Sequence, residues 1–277
     1  MLGRDLVEAF HQEDYIAYGQ DELDITNKEA VFERLITVRP DVVINATGYT
    51  NVDQAEQDED KAAMVNGYSV GVLARACREI DATFVHFSTD YVFPGSKKAG
   101  YSEEDPTGPI NAYGRSKLLG EKLLIEEMEL IDQSLQTEGS YFLIRTSWLY
   151  GAHGKNFVDT MLKLSSEHKE LKVVNDQHGK PTFTKDLCQQ VKWLIGTHDY
   201  PAGIYHVSNE DSTTWHDFAK EIFRLAKVDI NVVPCASVDF PRPAKRPAYS
   251  ALVNNKLPPL RPWKEALQEF IAQKERL

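Results

Sequence analysis

A phenol and an ammonium group stand four residues apart in the segment Tyr113-Gly114-Arg115-Ser116-Lys117. The surrounding pattern predicts a helix, and residues four positions apart lie on one face of a helix, so both groups can act on one bound molecule. A nearby cation favours the ionised phenol. We therefore expect Lys117 to lower the pKa of Tyr113 and to let it exchange a proton with a substrate. The spacing alone is weakly specific.

Two hydroxyl side chains follow directly on an apolar run. Thr83–Phe87 has the composition of a buried strand, and residues 88–93 read Ser-Thr-Asp-Tyr-Val-Phe. Open α/β sheets bind ligands at the carboxyl ends of their strands. Thr89 could there hydrogen bond a carbonyl oxygen and stabilise the charge that develops on it as hydride arrives. We interpret Thr89 as a third catalytic residue; the alternative is that Ser88 and Thr89 only cap a turn.

Length and charge restrict the class of protein. A chain of 277 residues, 42% of them hydrophobic, can form one large α/β domain with a smaller lobe. A formal net charge of −11 without a clustered Lys/Arg stripe argues against nucleic-acid binding. The sequence has no apolar run of about 20 residues, and charged residues interrupt its first ten positions. We expect a cytoplasmic protein that does not bind membranes.

Cysteine and histidine spacing indicates neither a disulfide framework nor a metal site. Cys77, Cys188 and Cys235 are far apart in the sequence, which suits a reducing compartment. The eight histidines lack the spacing of zinc ligands. We therefore predict no metal site.

Short apolar runs alternate with segments of helical period, which is typical of a Rossmann-type doubly wound parallel sheet in the α/β class. We assign residues 1–150 to a dinucleotide-binding domain. Residues 151–277 form mainly a smaller substrate-binding lobe, with some elements returning to the main domain. The predicted strands are Tyr15–Tyr18, Asp41–Asn45, Thr83–Phe87, Tyr141–Arg145, Lys172–Val174 and Gly203–Val207. The predicted helices are Leu2–His11, Asn27–Val38, Asp60–Glu79, Ala112–Glu127, Asn156–Glu167, Thr184–Ile195, Trp215–Lys227 and Lys264–Lys274.

The first predicted helix, Leu2–His11, has no strand before it. In a dinucleotide-binding fold the first strand leads through a glycine-rich turn into a helix whose N-terminus faces the pyrophosphate. Gly3 has the position of the last glycine of such a turn. We expect the working protein to carry the strand and the earlier glycines before Met1; the alternative is a helix that simply begins near a glycine.

Five segments together resemble one family, the dTDP-4-dehydrorhamnose reductases of the extended short-chain dehydrogenases. Residues 88–93 precede Tyr-x-x-x-Lys, as in that family. Residues 45–56 read Asn-Ala-Thr-Gly-Tyr-Thr-Asn-Val-Asp-Gln-Ala-Glu, and residues 145–151 read Arg-Thr-Ser-Trp-Leu-Tyr-Gly. Residues 175–182 read Asn-Asp-Gln-His-Gly-Lys-Pro-Thr, and residues 246–250 read Arg-Pro-Ala-Tyr-Ser. The resemblance therefore extends over nearly the whole chain.

The resemblance implies that NAD(P)H delivers hydride to the C4 ketone of dTDP-4-dehydro-L-rhamnose. Tyr113 would supply the proton, Lys117 would hold the nicotinamide ribose, and Thr89 would orient the carbonyl. Arg246 would pair with the dTDP pyrophosphate, for which a guanidinium is well matched; a solvated surface arginine is the alternative. The implied substrate contacts are Thr89, Asp90, Tyr91, Trp148, Asn175, Gln177 and Arg246, of which Tyr91 and Trp148 could instead be packed aromatics.

The family resemblance also implies the cofactor contacts. They are Gly3, Asp24, Ile25, Asn45, Ala46, Thr47, Tyr49, Asn66 and Ser88, together with Tyr113 and Lys117. The family more often has Ala at position 47, and the small Thr47 should be tolerated. Asp24 could instead cap a helix. The end of the second predicted strand, Tyr18–Asp21, has no arginine for a 2′-phosphate, so NADH and NADPH both fit and NADH is slightly favoured.

Other functions remain as alternatives. A non-catalytic regulatory subunit on the same scaffold would resemble the β subunit of methionine adenosyltransferase, and an inactive truncated reductase is a third hypothesis. Retention of Thr89, Tyr113 and Lys117 together favours the enzyme. Some family members form dimers, so a homodimer is also an expectation from the resemblance.

Overall fold

A computed structural model describes residues 1–130 and 140–274. The strands, in chain order, are β1 (Val42–Asn45), β2 (Thr83–Thr89), β3 (Tyr141–Thr146), β4 (Leu149–Tyr150), β5 (Glu170–Val174), β6 (His178–Gly179), β7 (Thr182–Phe183), β8 (Gly203–His206), β9 (Thr213–Thr214) and β10 (Asn231–Cys235). The helices are α1 (Leu2–Ala9), α2 (Lys28–Val38), α3 (Glu59–Ala63), α4 (Ser69–Glu79), α5 (Ala112–Glu129), α6 (Phe157–Glu167), α7 (Thr184–Thr197), α8 (Trp215–Leu225) and α9 (Trp263–Lys274).

The main sheet is parallel and covered by helices on both faces, as the Rossmann-type prediction requires. In the described chain its strands lie in the order β1, β2, β3, β8. Apolar side chains of α2, α4 and α5 pack on one face around Phe84 and Leu143. Helices α1 and α7 cover the other face around Val85 and Ile144. Each face takes alternate residues of a strand, because successive side chains of a strand point to opposite sides.

The later part of the chain builds a second core. Side chains of α6, α8 and α9 surround Tyr150, Phe183 and Phe270. Strands β5 and β10 form a parallel pair, and β6 pairs with β9 in antiparallel orientation. Strand β8 and helix α7 belong to the main sheet and its covering layer, so part of the region 151–277 returns to the first domain. Among the helices of the described residues, none has the length and apolar character to cross a bilayer.

Most predicted elements are confirmed, with ends that differ by at most two residues. One strand prediction is wrong. Tyr15–Tyr18 forms no regular secondary structure, and its Tyr15 and Ile16 side chains are 45% and 61% exposed. Its branched and aromatic residues favour a strand, but a strand also needs a neighbour to pair with. In the described chain β1 pairs with β2 alone.

The predicted helix Asp60–Glu79 is divided by a π-helical turn at Met64–Tyr68. This turn packs very closely against α5. A Cβ atom on Gly67 would lie 2.6 Å from the Leu119 side chain, and a Cβ atom on Gly120 would lie 2.1 Å from the carbonyl oxygen of Asn66. Glycine at both positions lets the two backbones approach, which brings Asn66 next to α5.

Candidate active site

Helix α5 begins at a well-defined position. The Asn111 side chain accepts a hydrogen bond from the Gly114 amide at 2.8 Å and donates one to the Lys245 carbonyl at 2.8 Å. The Ala112 amide donates to Glu56 at 2.7 Å. These bonds satisfy free amides of the first turn. They thereby fix Tyr113 and Lys117 relative to the 241–248 loop.

Tyr113 lies against the carboxyl end of β2. Its phenol hydrogen bonds with Thr89. The Tyr91 ring packs edge-on against it with ring centroids 5.9 Å apart. Burial raises the pKa of Tyr113 to about 12, against the lowering effect of the Thr89 hydrogen bond. The expectation of a lowered pKa for Tyr113 is therefore wrong, because the effect of burial dominates and Lys117 is not among the groups that shift this pKa.

Lys117 is buried, with 4% of its surface exposed. Its Nζ donates a hydrogen bond at 2.9 Å to the carbonyl of Phe87, which lies two residues before Thr89 on β2. Burial lowers the pKa of Lys117 to about 8, partly opposed by the negative charge of Glu121. Two of the three ammonium protons are not used by Phe87 and can bind ligand hydroxyls.

Asn66 joins α5 to the segment after β1. Its Oδ1 accepts a hydrogen bond from the Tyr49 amide at 2.8 Å, and its Nδ2 donates to the Tyr49 carbonyl and to Ser116, both at 2.9 Å. It is 1% exposed. Asn66 therefore orients the Gly48–Tyr49 backbone beside Lys117, and its predicted contact with the cofactor stays a prediction. The Tyr49 hydroxyl donates to Asp58 at 2.9 Å.

The other predicted cofactor residues lie at the carboxyl end of β1. Asn45 donates to His86 Nδ1 at 3.1 Å and accepts from the Thr47 amide and hydroxyl at 3.0 and 2.6 Å. A Cβ atom on Gly3 would lie 3.7 Å from the Ala46 side chain. The start of α1 and the end of β1 are therefore adjacent, and the contact of Gly3 with the cofactor stays a prediction.

Asp24 and Ile25 have structural contacts. The Asp24 carboxylate accepts hydrogen bonds from the Thr26 amide at 2.9 Å and its hydroxyl at 2.8 Å, which lowers the pKa of Asp24. Asn27 caps α2 through the Ala30 amide. Ile25 packs against the core beneath α2 and α4. The geometry of Asp24 is that of a turn before a helix, and its contact with the cofactor stays a prediction.

Asp90 lies next to Thr89 and is buried. Thr89 donates a hydrogen bond to its Oδ1 at 3.0 Å and accepts one from the Tyr91 amide at 3.2 Å. Burial raises the pKa of Asp90 to about 7, although Ser250 and Thr89 hydrogen bond to it. Its Oδ2 has no partner among the described residues. The Asp90 carboxyl group therefore orients the Thr89 hydroxyl and retains one acceptor atom.

Arg246 is held in place by an acidic residue of the main domain. Its guanidinium lies 3.0 Å from Asp53 Oδ1 and donates to the Ala244 carbonyl at 2.9 Å. The Ala244 amide donates to the same Asp53 oxygen at 3.2 Å. Only 18% of the Arg246 side chain is exposed. Burial raises the pKa of Tyr91, and the positive charge of Arg246 partly opposes that rise. Arg246 is thus a positioned cation beside the cluster, not a solvated surface residue.

Three predicted substrate contacts lie on the second lobe. Trp148 has a φ of 47° and stacks on Trp215 with ring centroids 3.6 Å apart. Gln177 donates to Ser237 at 2.8 Å, and the Asn175 amide donates to the Cys235 carbonyl at 3.0 Å. In the described residues no hydrogen bond or ring contact joins these three side chains to the Tyr113 cluster. Their substrate role stays a prediction.

Sequence reasoning missed two buried charges behind the site. Glu121 and Arg145 form an ion pair at 2.7 Å, and Ser88, predicted as a cofactor contact, donates its hydroxyl proton to Glu121. Glu121 could have been noticed because it follows Lys117 by four residues and shares its face of the helix. Arg145 has no such local signal, since its partner lies on a distant segment.

Known proteins resemble this chain over almost its full length. It is 41% identical to a dTDP-4-dehydrorhamnose reductase of Streptomyces griseus, over 97% of this chain and 89% of the relative. It is also 41% identical to a Streptomyces antibioticus protein described as a probable dTDP-4,6-dihydroxy-2-methyloxan-3-one 4-ketoreductase, over 97% of this chain and 90% of the relative. The crystal structure of Bacillus anthracis str. Ames dTDP-4-dehydrorhamnose reductase in complex with NADP has a TM-score of 0.90 and 39% identity, covering 98% of this chain and 95% of that chain. The family model of the RmlD substrate binding domain matches residues 1–276, and the chain belongs to that family.

Proposed function

We propose that this chain is an oxidoreductase that reduces the C4 ketone of dTDP-4-dehydro-L-rhamnose to give dTDP-L-rhamnose, with NADPH or NADH as cofactor. The observation that carries the proposal is the meeting of Thr89, Tyr113 and Lys117 at the carboxyl end of β2, beside the segment after β1. The reductases among its relatives support the same reaction.

The residues present fit a nicotinamide cofactor. A Cβ atom on Gly48 would lie 3.4 Å from Lys117 Nζ, so glycine leaves room beside the ammonium for a ligand to approach. The free protons of Lys117 suit the hydroxyls of a ribose. A bound reduced nicotinamide would supply the hydride.

The side chains divide the remaining work. The Thr89 hydroxyl has one proton, which it donates to Asp90 in this structure. With substrate bound, that proton would instead be donated to the carbonyl oxygen and so stabilise the negative charge that develops there. Tyr113 keeps its proton at neutral pH because burial raises its pKa to about 12, so it is the general acid that protonates the resulting alkoxide. Arg246 would pair with the diphosphate of the substrate, in a bidentate geometry that favours guanidinium.

The choice between NADPH and NADH rests on the adenosine end of the site. The lack of an arginine within Tyr18–Asp21 slightly favours NADH. The structure brings the guanidinium of Arg34 to 5.0 Å from the centroid of the Tyr18 ring, so α2 supplies a cation to this region. We infer that both cofactors bind, and titration with each measures the preference.

A direct assay tests the proposal. The purified chain is titrated with NADPH and with NADH, and dTDP-4-dehydro-L-rhamnose is then added while nicotinamide absorbance is followed. We expect oxidation of the cofactor, with dTDP-L-rhamnose identified by NMR. Tyr113→Phe should abolish turnover, whereas Tyr200→Phe, at a tyrosine that packs against Trp193 and Tyr205, should not.

The same assay separates the alternatives. A Streptomyces niveus relative is described as a dTDP-4-keto-6-deoxy-D-glucose reductase, so that sugar is included as a competing substrate. Cofactor binding without turnover of either sugar would contradict the reductase proposal and favour a non-catalytic regulatory subunit. A cytoplasmic location, a homodimer, and the lack of nucleic-acid and membrane partners are retained as predictions from the sequence; light scattering measures the oligomeric state.

A further inference from the structure

A buried ion pair lies directly behind the catalytic residues. Arg145 donates through Nε to Glu121 Oε1 at 3.0 Å and through Nη2 to Glu121 Oε2 at 2.7 Å. The two side chains are 4% and 2% exposed. The Ser88 hydroxyl donates to the same Oε1 atom. Both carboxylate oxygens of Glu121 are thus engaged by groups from two neighbouring strands.

These contacts tie three elements together at one point. Ser88 and Arg145 are register partners on β2 and β3. Glu121 comes from α5, one turn after Lys117, and Lys117 in turn donates to the carbonyl of Phe87, the residue before Ser88. The helix that carries Tyr113 and Lys117 is therefore fastened twice to the end of β2, which carries Thr89.

Few charges face the Lys117 ammonium. Glu121 lies on the same helix, and its negative charge favours the protonated lysine. His86 of β2 faces it from the sheet; burial holds the pKa of His86 well below its usual value, so this ring is neutral. Arg145 of β3 lies beyond Glu121. Without the carboxylate, Lys117 would have a buried cation near it and no anion among these groups.

Stability alone gives little reason for such a pair. Removing two charges from water costs several kcal/mol per ion, and well-packed apolar replacements are often equally stable. A buried pair that is fastened beside a catalytic lysine has a second use, because it sets both the position and the charge of that lysine.

We propose that Glu121 and Arg145 are positioning residues of the reaction, which hold α5 against the end of β2 and keep the Lys117 ammonium charged at working pH. The inference rests on the proposed reductase function for its effect on rate. The charge coupling between Glu121 and Lys117 does not depend on that function and can be measured separately.

The experiment uses the full chain with Glu121→Gln and the double variant Glu121→Gln/Arg145→Met. The single variant leaves Arg145 as an unpaired buried cation, and the double variant removes it, which should recover part of the lost thermal stability. Asp186→Asn is the matched control. Asp186 also accepts two hydrogen bonds from an arginine, Arg261, each at 2.8 Å, but it lies on α7 across the sheet.

The first readout is the pH profile of kcat, recorded well below the unfolding temperature of each variant. Loss of the carboxylate lowers the pKa of Lys117 further, so the decline of kcat at high pH should move to lower pH by about one unit in Glu121→Gln. At pH 8, where about half of the wild-type Lys117 is protonated, this corresponds to a roughly fivefold lower kcat. The double variant should keep part of this shift of the pH profile, because it lacks the Glu121 carboxylate but also lacks the Arg145 cation. Asp186→Asn should lose stability and keep the wild-type profile.

The second readout needs no sugar substrate. The titration of Lys117 is followed by NMR of the ¹³Cε-labelled lysines, with the signal assigned from Lys117→Arg. A lower midpoint in Glu121→Gln supports the inference even if the chain proves inactive, in which case the reductase proposal alone fails. An unchanged Lys117 midpoint in both Glu121 variants, with an unchanged pH profile in an active enzyme, would overturn the inference and leave the pair a structural one.

Discussion

Replacement of Gly120 by alanine should damage both stability and catalysis. Gly120 lies in the interior of α5, between Lys117 and Leu124. A Cβ atom there would lie 2.1 Å from the Asn66 carbonyl oxygen and 3.4 Å from the Val70 side chain. An ordinary carbon–oxygen contact needs about 3.3 Å. Helix α5 and the π-helical turn must therefore separate by roughly 1 Å.

The expected size follows from two opposing effects. Alanine is favoured over glycine in a helix by about 1 kcal/mol, whereas overpacking a filled interface costs about 1–3 kcal/mol. Because the clash is with backbone, we expect the upper part of that range and a net loss of about 1–2 kcal/mol in the free energy of unfolding. A displacement of about 1 Å at Lys117 can lower kcat/KM by up to about a hundredfold.

Gly196→Ala is the control for this substitution. Gly196 lies near the end of α7, and a Cβ atom there would have nothing within 4 Å. It should gain up to about 1 kcal/mol and leave kcat/KM unchanged. Urea unfolding gives the free energies, and initial rates of NADPH oxidation give kcat/KM. If Gly120→Ala matches the wild type in both, the close packing of α5 on the π-helical turn does not position the site, and the reasoning is refuted.

Three further predictions concern the catalytic cluster. Tyr113→Phe should lower kcat at least about a hundredfold while NADPH binding, measured by fluorescence, is retained, because only the proton donor is lost; turnover near the wild-type level would rule out Tyr113 as the acid. The kcat of the wild type should fall as pH rises above about 8, where Lys117 loses its proton; a profile flat to pH 10 would contradict this role. Arg246→Ala should raise the KM for the dTDP-sugar about tenfold or more and leave the Kd of NADPH unchanged. The control Arg75→Ala, in a surface ion pair of α4, should change neither. A KM in Arg246→Ala equal to that of the wild type would show that Arg246 does not bind the diphosphate.

Burial of Lys117 also links stability to pH. Its pKa falls from 10.5 to about 8 on folding, so the unfolded chain binds more protons between these values. The contribution of this group to the free energy of unfolding therefore rises with pH across that window.

Local patterns were sufficient for most of the fold. The runs that became β2, β3 and β8 are short, apolar and bounded by helical segments, and each predicted end lies within two residues of the observed one. The exception, Tyr15–Tyr18, has the same local composition but no strand beside it in the described chain. Propensity predicts a tendency to extend, while a strand forms only where hydrogen-bonding partners exist.

Residue type and spacing predicted Thr89, Tyr113 and Lys117 as catalytic candidates, because a hydroxyl at a strand end and two groups four residues apart on a helix are features of local order. Their protonation could not be read locally. The prediction of a lowered pKa for Tyr113 is wrong because pKa values depend on burial, whose effect dominates here.

The sequence by itself determined the fold class, the order of the elements, the three candidate catalytic residues and the family resemblance, since these depend on periodicity and on segments that can be read one at a time. Only the tertiary structure decided which distant side chains meet. It joined Glu121 to Arg145 and Asp53 to Arg246, and brought one carboxylate or imidazole atom each of Asp5, Glu8 and His153 within 4.8 Å of one another. Such contacts arise from how elements pack around a shared core, and packing brings together residues whose separation along the chain says nothing about their separation in space.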